Sequence, residues 1–262
     1  MHKIRTIMLK EWSEVFKNRT VLFSIIFMPM LFTALPLILL FFTRGSDAAS
    51  LGEQVPPQFL RLCPPGLSGG ECLQVYIISQ FMPLFMLTPL LIPVNIAAYS
   101  IVGEKAARSL EPLLATPITT AELLAGKNLA AAIPAVLATW LSFAIYALGA
   151  RMLGTNPRVL TAIVDPMWLI AIFVAGPLLA ILSVNFCLMV SSRVNDPRVA
   201  EQLSTAVMMP LLLLFFGQII GFVFLSRQLV LILSVVLVVV DILLVYLAVR
   251  LFQRETILTR WR

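Results

Sequence analysis

Few side chains in this sequence are equipped for covalent chemistry, and their scarcity narrows the field at once. His2 is the only histidine, which excludes a zinc site or a charge relay built on several imidazoles. Cys63 and Cys72 share one polar stretch, where they either close a disulfide in an oxidising compartment or remain free thiols. Cys187 lies in an apolar run and reads as a small packing residue. Asp241 stands apart as the one formal charge inside a long apolar run. Burying it ionised is costly, so it should face protein or water, or be protonated. Asn95 and Asn185, in other apolar runs, are its candidate hydrogen-bonding partners, as is the same helix of a second copy. Asp241, Asn95 and Asn185 are therefore the candidates for a pathway or gate, with structural hydrogen bonding as the plainer alternative. No set of residues combines into a catalytic or metal site.

The charged chemistry concentrates instead in residues 101–127, IVGEKAARSLEPLLATPITTAELLAGK. Glu104, Arg108 and Glu111 fall at i, i+4 and i+7, which places them on one helical face. Thr116 and Pro117 break that helix, and Thr119 or Thr120 can cap the next one near Glu122. The expectation is a short helix, a turn and a second short helix, shaped to dock a soluble partner. A solvated connecting loop is the plainer alternative.

The elements that carry these residues are set by apolar run length. Residues of types A, V, I, L, M, F, W, Y and C make up 60% of the 262 positions, and only 12% are charged. A soluble core of this length cannot hide so much apolar surface, whereas lipid solvates it. Six nearly uncharged runs predict spans at 20–42, 76–102, 128–150, 166–191, 203–225 and 229–250. The second run is longer than one crossing needs. Of the 19 Lys and Arg residues, 14 fall on the side of both chain ends and 5 on the other. That split places both termini in the cytoplasm. A net charge of +6 suggests nucleic acid, but the basic residues border spans instead of forming one patch, so lipid headgroups account for them better.

Residues 1–19 are too short to span and precede an apolar run too long for a signal peptide. Ile4, Met8, Trp12 and Val15 recur at helical spacing, with Ile7 and Phe16 beside them and Lys3, Lys10, Glu14 and Lys17 opposite. This predicts an amphipathic helix on the inner leaflet. Pro29, Pro36, Pro83, Pro89, Pro93, Pro134, Pro177 and Pro210 lie inside the spans and favour kinks. Gly217 and Gly221 suit a chain that re-enters the membrane between the fifth and sixth spans. The whole is expected to be an all-α integral membrane domain over residues 1–262.

Residues 101–127 resemble the cytoplasmic loop of the type-2 ABC exporter permeases. The resemblance rests on Glu104, on Leu110-Glu111-Pro112-Leu113-Leu114, on Thr116-Pro117 and on Gly126-Lys127. Lys10-Glu11-Trp12, the run from Ser192 to Arg198 and the run from Leu251 to Glu255 extend it over nearly the whole chain. The resemblance implies that residues 103–127 hold a coupling helix that fits a groove in a separate ATPase. Glu104, Arg108, Glu111, Pro117, Glu122, Gly126 and Lys127 would then contact the ATPase, form its supporting network or set the turns. Pro112 departs from the pattern, and the outer loop is short.

Two motifs look like nucleotide chemistry and are not. Leu67-Ser68-Gly69-Gly70-Glu71 nearly spells an ABC ATPase signature, but the charge count puts it outside. Gly126-Lys127 lacks the earlier glycine and the following Ser or Thr of a P-loop, since Ala121 and Asn128 hold those positions. The chain itself is therefore expected to bind no cofactor, with ATP and Mg bound by the partner ATPase. The reading is the permease subunit of an ATP-driven exporter in a prokaryotic plasma membrane, acting as a homodimer or beside a similar chain. A secondary transporter or channel is the alternative. The cargo is left open among drugs, lipids, peptides and ions.

Overall fold

The computed structural model describes residues 2–17, 19–43, 66–106, 118–223 and 225–251. Among these, every regular element is helical. α1 (His2–Lys17), α2 (Arg19–Phe42), α3 (Gly69–Ala106) and α4 (Thr120–Met152) form the first half. The second begins with α5 (Pro157–Ile163), α6 (Pro166–Ile170), a π-helical turn (Ala171–Ala175) and α7 (Gly176–Arg193). It continues through α8 (Pro197–Ser204), a 3₁₀ turn (Thr205–Met208), α9 (Met209–Ile220) and α10 (Arg227–Leu251). Six stretches are long and apolar enough to cross a membrane: Val21–Phe42, Gly69–Glu104, Thr120–Met152, Pro157–Arg193, Pro197–Ile220 and Arg227–Leu251.

Helix ends depart from the expected spans where local capping overrides hydropathy. α3 begins at Gly69 because Ser68 and Glu71 exchange hydrogen bonds: Ser68 N donates to Glu71 Oε2 at 2.8 Å, and Glu71 N to Ser68 Oγ at 3.4 Å. The string Leu67–Glu71 that imitates a nucleotide signature is thus a helix start. α4 begins at Thr120 through the same device, with Thr119 as the cap and Glu122 as its reciprocal partner. The fifth span stops at Ile220 and not at 225, since Gly221 takes φ 84° and closes the helix in the left-handed region.

α3 is the central element and packs against α7, α4 and α2. Two apolar cores lie along the bundle. One gathers Leu40, Phe85, Phe143, Tyr146, Ile172 and Val230 among others. The second gathers Ile92, Ile101, Leu124, Ala135, Val184 and Ala248. Near their junction, Ser183 Oγ donates to Leu90 O across α7 and α3 at 2.8 Å.

The intramembrane prolines do something more specific than kink. A proline lacks the N–H that would bond the carbonyl four residues back, so each one leaves an acceptor exposed. Pro83 frees Ser79 O, which accepts Gln218 Nε2 of α9 at 2.9 Å. Pro134 frees Ala130 O, which accepts Trp12 Nε1 of α1 at 2.9 Å. Pro177 follows the π turn, where the register is five, and Ile172 O accepts Trp140 Nε1 of α4 at 3.3 Å. Three prolines thus supply acceptors for three side chains from other helices.

Candidate functional site

At the bundle end that carries α1, three helices meet through charge. Lys127, on the first turns of α4, is 3% exposed, while Glu11 of α1 and Glu104 of α3 are 6% and 7% exposed. Lys127 Nζ lies 2.8 Å from Glu11 Oε1 and 3.1 Å from Glu104 Oε1. Its remaining N–H donates to Ser100 Oγ. All three donors of the ammonium are therefore engaged. Ser100 Oγ in turn donates to Glu11 Oε2 at 3.3 Å. Lys10 closes the ring from the solvent side, 3.0 Å from Glu104 Oε1, 3.9 Å from Glu11 Oε1 and 3.5 Å from Glu14 Oε1.

Electrostatics require this pairing. Two carboxylates this close repel unless cations stand between them, and a buried charge without a partner is costly. Partial burial opposes the charge on Lys10. The hydrogen bond to Glu104 and the fields of Glu104, Glu11 and Glu14 outweigh it, so its pKa rises above the ordinary lysine value of 10.5.

Packing holds the ring in register. Gly126 faces α1 so closely that a Cβ there would lie 2.8 Å from Ile7 Cγ2. Trp12 anchors the same helix through Ala130 O, and Lys3 lies 3.7 Å from Glu122 Oε2. The buried residues of α1 are Ile7 and Glu11. Ile4, Met8, Trp12 and Val15, the expected apolar stripe, are half-buried alongside them. The i, i+4 spacing of Ile7 and Glu11 was the available signal. Nothing local marked Ser100.

Of the expected coupling residues, Glu104 and Lys127 converge on this ring with their side chains turned into the protein, and Gly126 packs against Ile7 of α1 beside it. Glu122 is half-exposed and caps α4. Arg108, Glu111 and Pro117 lie outside the described residues. The chain enters them from the end of α3 and leaves them at Thr119, so the ring sits at the base of both stems.

The pathway candidates are not brought together. Asn128 Nδ2 donates to Asn185 Oδ1 at 2.7 Å, and Asn185 Nδ2 to Ile181 O at 2.9 Å. Asn95 Nδ2 donates to Leu91 O of its own helix at 3.2 Å. Neither amide bonds Asp241, and each donates to a backbone carbonyl of its own helix. At the opposite bundle end Cys72 is disulfide-bonded, and Cys63 lies outside the described residues. Cys187 is free and buried.

A search among curated proteins finds no match. The sequence pattern of the ABC-2 family transporter protein, by contrast, covers residues 5–229. That stretch contains Lys10-Glu11-Trp12, Glu104 and Gly126-Lys127, the residues that build the ring. With six membrane-length apolar helices and this match over most of its length, the chain belongs to the ABC-2 family of transporter membrane proteins.

Proposed function

We propose that the chain is the permease subunit of an ATP-driven exporter, pairing with a second copy or a similar chain and driven by separate ATPase subunits that carry ATP and Mg. Residues 103–127 face the cytoplasm with both termini, in a prokaryotic plasma membrane, as the 14-to-5 split of Lys and Arg favours. The observation that carries this reading is the ring of buried Glu11, Glu104 and Lys127, closed from the solvent side by Lys10. It clamps both stems of the 107–117 segment onto α1, so a force on that segment reaches α1, α3 and α4 together. Glu104 and Lys127 then act as the rigid base, and Arg108 and Glu111 as the contact surface. The two permease halves shift between states only as far as the nucleotide-bound ATPase prefers one of them.

Co-purification of the tagged chain with the ATPase encoded beside it tests this. The wild type should capture the ATPase, and the doubly reversed Arg108→Glu, Glu111→Arg variant should lose it while still eluting as a folded protein. Transport by the purified chain with no ATPase present would overturn the reading in favour of a secondary transporter.

A further inference from the structure

Asp241 occupies the buried stripe of α10, formed by Val230, Ser234, Asp241 and Ala248. That stripe packs along α7 and the π turn, with lighter contact to α6 and α4. Val230 and Leu237 belong with the first core and Ala248 with the second, so Asp241 falls between the two. The residue is 6% exposed, and neither carboxylate oxygen has a hydrogen-bond partner among the described residues. Ser234, the other polar residue of the stripe, is occupied by Val230 O of its own helix. The helices packed against α10 are uncharged through their spans, over 166–192 and over 128–150.

Its isolation contrasts with the other buried charges. Glu11, Glu104 and Lys127 each have an opposite charge within hydrogen-bonding distance. A leucine or valine at 241 would avoid the cost of a lone carboxyl group, so the packing gains nothing from aspartate. A buried carboxylate with apolar walls and no counter-charge complements a ligand that brings positive charge and apolar groups together. Such a ligand reaches the seam sideways from the bilayer. The other faces of α10 are open to lipid, with Ile232, Val235, Val239 and Ile242 all more than 60% exposed. Across the seam lies the π turn, a stretch of helix already out of α register whose own Phe173 and Val174 are exposed.

We infer, resting on the permease reading, that Asp241 is the counter-ion for the cationic group of the cargo, and that the cargo class is lipophilic organic cations. The cation enters between α7 and α10, where its apolar groups replace the contacts of the closed seam and its charge meets the carboxylate.

Equilibrium binding of radiolabelled tetraphenylphosphonium to the purified full chain in detergent tests this, with neutral triphenylphosphine oxide as the control. Saturable binding is expected for the wild type, weakened by about tenfold or more in Asp241→Asn and largely recovered in Asp241→Glu. The control should be indifferent to all three. Because Asp241→Asn removes a lone buried charge, its melting temperature should match or exceed that of the wild type, which separates lost binding from lost fold. Equal phosphonium affinity in wild type and Asp241→Asn would overturn the inference. So would no saturable binding of either tetraphenylphosphonium or dodecyltrimethylammonium, or an equal loss of the neutral control. A changed oligomeric state in Asp241→Asn with cation binding intact would reassign the residue to the contact between copies. Binding needs no ATPase, so the two readings fail separately. ATPase capture without cation binding removes only the cargo class. Cation binding without ATPase capture removes only the coupling.

Discussion

Lys127 has three N–H donors and an acceptor for each, so deleting it leaves buried Glu11 with Ser100 and a cation no nearer than 3.9 Å, and Glu104 with Lys10 alone. Lys127→Met should destabilise the fold by about 3 kcal/mol or more, read as a lowered detergent melting temperature. The double variant Lys127→Met, Glu11→Gln should recover much of that loss, since the carboxylate left without a close cation goes with it. If the single variant melts like the wild type, the ring is not a clamp. Lys10 behaves differently because it is half-exposed on the rim. Its pKa is raised, so its contribution is complete at neutral pH and is lost only as pH climbs through the elevated value, above 10.5. From sequence alone Glu104 and Lys127 look like surface residues, since both lie in the most charged stretch of the chain. Glu11 supplies what that view lacks, because it sits at a distance in sequence and its partners are visible only after folding.

The helices are joined by contacts that spacing could not announce. Each intramembrane proline was readable as a kink, and Pro83, Pro134 and Pro177 were correctly placed inside spans. What the sequence hides is which distant side chain takes each freed carbonyl: Gln218, Trp12 and Trp140. The docking of α1 on α4 is equally tertiary in origin. Gly126→Ala would place a Cβ against Ile7, a β-branched side chain with little room to rotate. We expect Gly126→Ala to loosen α1, seen as faster proteolysis or hydrogen exchange over His2–Lys17. Adding Ile7→Ala should restore protection, because the clash is removed from the other side. Failure of the second substitution to rescue the first would mean that the close approach does not hold α1 in place. The capping boxes at Ser68–Glu71 and Thr119–Glu122 lie at the opposite extreme, since residues three apart suffice to specify them.

Across the whole molecule, charge sorts by end. The expected orientation can be read with single cysteines, since among the described residues Cys187 is buried and Cys72 is disulfide-bonded. Ser13→Cys on α1 and Thr161→Cys on α5 both occupy exposed positions at opposite ends of the bundle. In intact cells an impermeant maleimide should label Thr161→Cys and spare Ser13→Cys, and permeabilisation should expose both. The reverse pattern would invert the topology and move residues 103–127 outside.

Run length and charge placement determined that this chain crosses a membrane six times, because hydrocarbon imposes a length and an absence of charge that no other environment demands. Local spacing narrowed the cap of α4 to Thr119 or Thr120, since a cap is satisfied within one turn, and the structure uses Thr119. Tertiary structure alone decided that Glu104 and Lys127 face inward, that Trp12 closes on Ala130, and that Asp241 has no partner among the described residues. These depend on residues far apart in sequence, such as 11 and 127, whose approach is fixed by the packing of whole helices.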